Sequence, residues 1–177
     1  MSCDSISRGR LEPCTDSVGG IAKVYFVNKG EIESVTYDAT DTDAIDAVSG
    51  TPSAYEFEVR GASTYTETIT SSRENGTTYF EQALELQLPK LTKEDHKTIK
   101  LISFGQPSLV IEDNNGNRFL AGLEFGMDVT GGTIATGSGM GEYSGYTLTL
   151  TGMEKAPANF LVGDMVTVGF TVVTGVE

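Results

Sequence analysis

Residues 75–88 read NGTTYFEQALELQL, and this stretch decides the fold class. Asn75-Gly76 is a strong β-hairpin signal, because both residues tolerate a positive φ. The β-prone residues 77–88 that follow predict one long strand. We expect its core-facing residues to be Phe80, Ala83 (after a bulge), Leu86 and Leu88.

The segment 92–104 has the features of an α-helix. Thr92 is suited to cap its first turn, and Asp95 three residues later gives an Asp variant of the capping box. Gly105 and Pro107 predict its end. The residues expected on its inner side are Ile99, Leu101 and Ile102.

Short β-prone segments with turn signals lie on both sides of this stretch. The predicted strands are 21–28, 31–37, 55–60, 64–72, 109–113, 118–125, 146–152 and 165–173. Both the odd-numbered and the even-numbered positions of residues 21–28 are mostly apolar, which predicts a strand buried on both faces. No helical period follows residue 105. We therefore predict a mainly β protein, an antiparallel β-sandwich or barrel with one flanking α-helix at about 92–104.

Polar composition predicts the domain organisation. Residues 1–20 are interpreted as an N-terminal arm, and residues 21–177 as one β-sandwich or barrel domain. Within that domain, residues 38–54 are predicted to form a long acidic loop, with one short helical turn around Ala44–Val48 as the alternative. The acidic residues of this loop are Asp38, Asp41, Asp43 and Asp46.

Composition and charge exclude several classes. The chain has 177 residues, of which 38 % are hydrophobic, too many for a disordered protein. No apolar run approaches the roughly 20 residues that a membrane helix needs, so we expect no membrane partner. With 25 acidic against 12 basic residues and a net charge of -13, the chain is poorly suited to neutralise the phosphates of a nucleic acid.

The two cysteines, Cys3 and Cys14, lie close together near the start of the sequence. A disulfide-stapled secreted domain would have more cysteines, distributed through the fold. Charged residues also interrupt every candidate apolar core of a signal peptide in the first 14 residues. We therefore expect folding in a cytoplasm with free thiols, and a disulfide closing this short loop is the alternative.

The motifs that would carry chemistry are incomplete. The glycine-rich residues 131–141 match neither phosphate-loop nor dinucleotide patterns and are interpreted as turns, bulges and close backbone approaches. The aspartates of residues 38–46 lack the order of an EF-hand. His96 is expected on the solvent face of the helix, and no nucleophile elbow accompanies it. We therefore expect no enzyme, with no catalytic, cofactor-binding or metal-binding residues and no cofactor.

The predicted helix carries a basic stripe of Lys93, Lys97 and Lys100 at helical spacing. On an acidic protein such a stripe is either a solvated face or an electropositive patch that meets an acidic patch on another copy. We hypothesise a head-to-tail subunit interface. It would join this stripe to Asp38, Asp41, Asp43 and Asp46.

The sequence also resembles a known family over about residues 55–162. The order is a long strand, Leu-Pro-x-Leu, a short helix, a strand, an Asn/Gly turn and an aromatic-Leu-x-Gly strand. The last of these elements is Arg118-Phe119-Leu120-Ala121-Gly122, and a glycine-rich linker, 132–145, then leads to Tyr146-Thr147-Leu148-Thr149-Leu150-Thr151-Gly152. This pattern resembles the tail tube proteins and related virion structural proteins of tailed bacteriophages.

The resemblance implies a self-assembling virion subunit without catalytic residues. Copies of such proteins form hexameric rings that stack into a hollow tube, through which genomic DNA passes at ejection without specific binding. It also implies contacts with other tail proteins, with long loops and an arm reaching adjacent subunits; here these would be residues 38–52 and 1–20. The expected location is the virion tail, after assembly in the host cytoplasm.

There are two alternatives to a tail tube subunit. Another virion component, a capsid decoration or tail completion protein, belongs to the same broad class. An adhesin or glycan-binding β-module belongs to a different one. The acidic charge favours a conduit over a DNA-binding surface, because a negative wall repels the polyanion.

Overall fold

The computed structural model describes residues 8–59 and 61–175. The helices are α1 (Lys93–Phe104) and α2 (Met165–Val168). The strands are β1 (Ile21–Val27), β2 (Ser34–Tyr37), β3 (Ala44–Ser49), β4 (Ser53–Glu58), β5 (Thr64–Ser72), β6 (Thr77–Pro89), β7 (Ser108–Asp113), β8 (Arg118–Ala121), β9 (Asp128–Ala135), β10 (Gly145–Glu154), β11 (Asn159–Leu161) and β12 (Thr171–Val173). The mainly β prediction is confirmed.

The strands form two sheets. The larger sheet has the order β12-β4-β1-β7-β8-β11-β3-β2, and the smaller sheet has the order β5-β6-β10-β9. The smaller sheet is antiparallel throughout. The larger sheet contains two parallel pairs, β11 with β3 and β12 with β4, which departs from the expected purely antiparallel pairing.

Two hydrophobic cores lie on the two sides of the larger sheet. The core between the sheets contains Val24 and Phe26 of β1, together with residues of β6, β7 and β10. Tyr25 and Val27 point into a second core with residues of β3, β11 and α2. β1 is thus buried on both faces, as predicted. β1 and β3 share the second core although three strands separate them in the sheet, so the larger sheet curls on itself.

The helix prediction is confirmed at both ends. The Thr92 hydroxyl accepts a hydrogen bond from the backbone N–H of Asp95 at 3.1 Å and donates to the Asp95 carboxylate at 2.6 Å. Gly105 ends the helix. Ile99 is buried and Ile102 packs against the core, but Leu101 is 64 % exposed and was wrongly placed on the inner side.

Three expectations for strands and loops are corrected. Residues 38–54 are not one loop, because β3 occupies Ala44–Ser49 and places Ala44, Ile45 and Val48 in the core. The predicted strand 165–173 is the single turn α2 followed by β12. In β6 the pairing with β10 has no bulge, so the inward residues are Gln82, Leu84 and Leu86, and Ala83 points to the opposite face.

The described part of the predicted arm, residues 8–20, contains no helix or strand, and all of its residues are exposed. Its last residues are fixed to the β7–β8 turn: Val18 N–H donates to Asn115 Oδ1 at 2.9 Å, and Asn114 Nδ2 donates to the Gly19 carbonyl at 2.8 Å. Cys14 is exposed in this segment, whereas Cys3 lies outside the described residues.

Candidate assembly surfaces

The smaller sheet has two long edge strands. β5 has nine residues and β9 has eight, and each pairs on one side only among the described strands. Because the sheet contains four antiparallel strands, its two edges run in opposite directions. The β9 edge of one copy and the β5 edge of another, related by rotation about an axis along the strands, would therefore run antiparallel and could share a ladder of hydrogen bonds.

The two faces of the smaller sheet differ sharply in chemistry. One face packs into the core through residues such as Leu84, Leu86, Leu148 and Leu150. The opposite face, called the outer face here, contributes no residue to either core. By strand alternation and register it carries Thr64, Thr66, Thr68, Thr70 and Ser72 of β5, Thr77, Tyr79, Glu81, Ala83, Glu85 and Gln87 of β6, Thr147, Thr149, Thr151 and Met153 of β10, and Asp128, Gly131, Thr133 and Ala135 of β9.

The charges of this outer face have a single sign. Its ionisable carboxylates are Glu81, Glu85 and Asp128. The four strands of the smaller sheet contain no Lys or Arg at any position. The outer face is therefore a polar, threonine-rich surface with a negative potential.

Each edge strand exposes one large apolar side chain on its core-side face. Ile69 of β5 is 67 % exposed and Ile134 of β9 is 57 % exposed. β9 also needs Gly132, because a Cβ there would lie 2.7 Å from the Thr147 carbonyl oxygen. The expectation that the glycine-rich segment serves close approaches and turns is confirmed at Gly132 and at Gly137, whose φ is +69°.

The β9–β10 hairpin ends in a tip, residues 136–144, that is tied by one carboxylate. Glu142 Oε2 accepts hydrogen bonds from Ser138 N–H at 2.6 Å and from the Ser138 hydroxyl at 2.9 Å. These bonds, first the backbone one and then the hydroxyl, lower the pKa of Glu142. The side chain of Met140 is fully exposed at this tip.

The four predicted interface aspartates divide into two pairs. Asp38 accepts from the Thr40 N–H and hydroxyl, both at 2.7 Å, and these bonds lower its pKa. Asp41 accepts from the Asp43 N–H at 3.1 Å. Asp38 and Asp41 thus stabilise the turn between β2 and β3. The carboxylates of Asp43 and Asp46 are exposed and make no hydrogen bond or ion pair within the described residues.

The predicted basic stripe is exposed on α1. Lys93, Lys97 and Lys100 all face solvent, and none of them forms an ion pair in the described part of the chain. His96 is exposed as expected, with its ring centroid 6.2 Å from that of Tyr146. A contact between the stripe and the aspartates of another copy remains a prediction.

Two buried polar side chains are explained by structural roles. Gln82 Oε1 accepts from the Gly122 N–H at 2.8 Å. Glu154 Oε1 accepts from the N–H groups of Glu124 and Phe125 at 3.1 and 2.9 Å. Burial raises the pKa of Glu154, and the backbone donors oppose that rise. Both side chains line a cavity of about 380 Å³ at the β2 edge of the larger sheet.

Within residues 8–59 and 61–175 no cluster of three or more His, Cys, Asp or Glu side chains is arranged to hold a metal ion. No helix in these ranges combines the length and apolar character needed to cross a bilayer. Comparison of the chain with protein-family models, with curated proteins and with solved structures gives no match.

The sequence patterns did not lead to a prediction of the outer face or of its edge strands, β5 and β9. The signal was present as a period of two, with threonine alternating with bulky residues in TYTETIT of β5 and YTLTLT of β10. The edges themselves carry no such signal, because strand order depends on which distant segments pair.

Proposed function

We propose that this chain is a virion structural protein, the subunit of a phage tail tube. Identical copies, six to a ring, join through the edges of their smaller sheets, and the rings stack around a central conduit for DNA. The proposal is supported by the family resemblance of residues 55–162 and by the geometry of the smaller sheet. The assembly involves no bond-making chemistry.

The observation that carries the proposal is the pair of opposed free edges, β5 and β9. An even number of antiparallel strands lets each copy meet the next with antiparallel pairing all around a ring, so that no edge is left open. Six copies of a four-stranded sheet would form a barrel whose backbone diameter is on the order of 50 Å, from a strand spacing of about 4.8 Å and a tilt of about 40°.

The composition of the outer face supports its position on the wall of the conduit. In such a barrel the larger sheet covers the core-side face of the smaller sheet. The outer face, which points away from the subunit core, lines the lumen. Threonine hydroxyls keep that wall hydrated, and its carboxylates repel phosphates. A wall of lysine and arginine would instead retain the polyanion through counterion release.

The exposed isoleucines of the edges support lateral contact. Ile69 and Ile134 stand on the side of the sheet that continues into the core, at positions that a neighbouring copy would cover. Burial of an apolar side chain of this size contributes about 1.5–3 kcal/mol when it is complete. In an isolated subunit this contribution is lost at both edges.

The experiment is assembly of the purified chain at rising concentration, followed by sedimentation velocity and negative-stain electron microscopy. We expect annular particles and tubes for the unaltered protein. The double variant Ile69→Ser/Ile134→Ser should keep its midpoint of urea unfolding, because both side chains are exposed in the single chain, but should need a higher concentration to form rings. The matched control is Val162→Ser/Val166→Ser, which changes two exposed apolar side chains away from both edges and from α1.

A chain that stays monomeric at every concentration would contradict the proposal. Ordered binding only to a capsid lattice would favour a decoration protein, and binding to a glycan array would favour an adhesin module. Equal assembly of the isoleucine variant and the unaltered protein would show that copies do not join through the β5 and β9 edges.

A further inference from the structure

The tip of the β9–β10 hairpin is built to project one apolar side chain. Glu142 holds Ser138 through two hydrogen bonds, and the Glu142 N–H donates to the Gly139 carbonyl at 3.1 Å. Met140 lies inside this tied loop and has no cover in the single chain. Fixing the loop before contact reduces the conformational entropy that a contact would cost.

A depression of about 640 Å³ lies at the opposite end of the same sheet. Its apolar lining comes from Tyr79, Phe125 and Met153, of which Phe125 is 49 % exposed and Met153 is 59 % exposed. Methionine is well suited to fill such an irregular apolar surface, and its sulfur interacts favourably with aromatic rings.

The tip and the depression are separated by the length of β10. The tip precedes Gly145, where β10 begins, and the depression lies against Thr151–Glu154, where β10 ends. Ten residues of strand span roughly 30 Å. A second copy displaced along the strands of the smaller sheet would therefore bring its tip to the depression of the first.

We infer that the hairpin tip of one copy, with Met140 at its apex, docks into the Tyr79–Phe125–Met153 depression of a second copy in the adjacent ring. The inference rests on the proposed tube, for which it gives the axial contact. The contact is heterologous, because it joins two different surfaces, so it repeats without limit along the axis.

One charge on each surface can pair when this occupant docks, Glu142 on the tip and Lys29 in the depression. Glu142 is the one ionisable acid of the tip, and its pKa is lowered. The charged lining of the depression consists of Lys29, Lys155, Asp128 and Glu154. Lys155 is paired with Glu124 and lies 5.2 Å from the centre of the Phe125 ring.

Lys29 is the cation available to the tip. Its ammonium donates to two neutral acceptors, Gln106 Oε1 and the Phe125 carbonyl, and it forms no ion pair within the described residues. Glu142 brought in by a second copy would supply the missing counter-charge.

The first test compares Met140→Ser with the unaltered chain in the assembly assay. We expect Met140→Ser to form rings at the usual concentration but to shorten tubes at least tenfold, as measured by electron microscopy. The matched control, Val166→Ser, changes another exposed apolar side chain, on α2, and should leave tube length unchanged.

The second test uses cysteines in a Cys3→Ser/Cys14→Ser background. Oxidised Met140→Cys/Met153→Cys should give a ladder of covalent multimers, whereas Met140→Cys/Val166→Cys should not. Tubes of normal length from Met140→Ser, loss of rings together with tubes, or absence of the ladder in assembled tubes would each overturn the inference. Failure of the unaltered chain to form rings would instead count against the proposed function.

Discussion

Glu85 of β6 lies directly opposite Thr149 of β10, and both side chains point away from the core. Thr64 on β5 and Gly131 on β9 continue this row to the two edges of the smaller sheet. A carboxylate thus lies among two threonines and a glycine in a row that crosses the whole sheet. Such a row has no cation to hold a phosphate, and its ends are the free edges through which copies are proposed to join.

The first prediction concerns the negative charge of the outer face. Glu81→Lys/Glu85→Lys should still assemble, because both side chains point away from the core, but its tubes should bind double-stranded DNA. Co-sedimentation of tubes with labelled DNA measures this binding. The retained fraction should fall steeply as salt is raised from about 50 to 200 mM.

Glu33→Lys/Glu58→Lys is the matched control, because it changes the net charge equally on strands and loops of the larger sheet. This variant should retain much less DNA than Glu81→Lys/Glu85→Lys. Equal retention by the two variants would mean that the outer face does not line the lumen.

The second prediction concerns the basic stripe of α1. Lys93→Glu/Lys97→Glu/Lys100→Glu should raise the concentration for half-assembly by roughly tenfold, about 1.4 kcal/mol, if the stripe meets acidic groups of another copy. Asp43→Lys/Asp46→Lys should restore assembly in that background, since these two carboxylates are free within the described residues. Sedimentation velocity measures both.

Asp38→Asn/Asp41→Asn gives a useful contrast. These carboxylates bond the turn between β2 and β3, so their loss should lower thermal stability without changing the salt dependence of assembly. Assembly of the triple lysine variant at the same concentration as the unaltered chain would leave the stripe as a solvated helix face.

The third prediction concerns Glu154, whose pKa burial raises above its ordinary value of 4.5. A raised pKa in the folded state means that folding favours the protonated acid. The resulting stability is present below the ordinary pKa and is lost as pH rises through the raised value. The free energy of unfolding should therefore fall with rising pH above about 4.5 relative to that of Glu154→Gln, which keeps an oxygen acceptor.

Urea unfolding of both proteins between pH 4 and 7 measures this difference, with Glu74→Gln at an exposed position of the β5–β6 turn as the control. Parallel pH profiles for the unaltered chain and Glu154→Gln would show that Glu154 ionises as easily in the folded state as in the unfolded one.

Local signals explain what could be predicted of the fold. Asn75-Gly76 and the Thr92–Asp95 capping pair act over a few residues, so the β5–β6 hairpin and α1 follow from sequence. The prediction for Ala44–Ser49 failed because Asp46 and the aspartates that precede the segment mask a strand whose burial comes from β11 and α2, far along the chain. The assumed bulge at Ala83 failed because Gln82, a polar residue, occupies a core position and is satisfied there by the Gly122 N–H.

The assembly surfaces were even harder to predict, because they depend on which distant segments of the chain pair as strands. Nothing in residues 64–72 or 128–135 states that these segments are edges, since that follows from β6 pairing with β10. That the outer face carries only negative charge could not be predicted without the strand register, which separates Glu81 and Glu85 from their inward neighbours. The lysine stripe was visible because helical spacing is local.

A disulfide scan across the two edges, in a Cys3→Ser/Cys14→Ser background, tests the proposed ring most directly. Thr68→Cys on β5 would be combined in turn with Gly131→Cys, Thr133→Cys or Ala135→Cys on β9, all on the outer face. We expect at least one pair, once oxidised, to yield covalent multimers ending at a closed ring, whereas Thr36→Cys/Thr171→Cys at the edges of the larger sheet should not. Free thiols in all three β5–β9 pairs at concentrations where the protein assembles would contradict it.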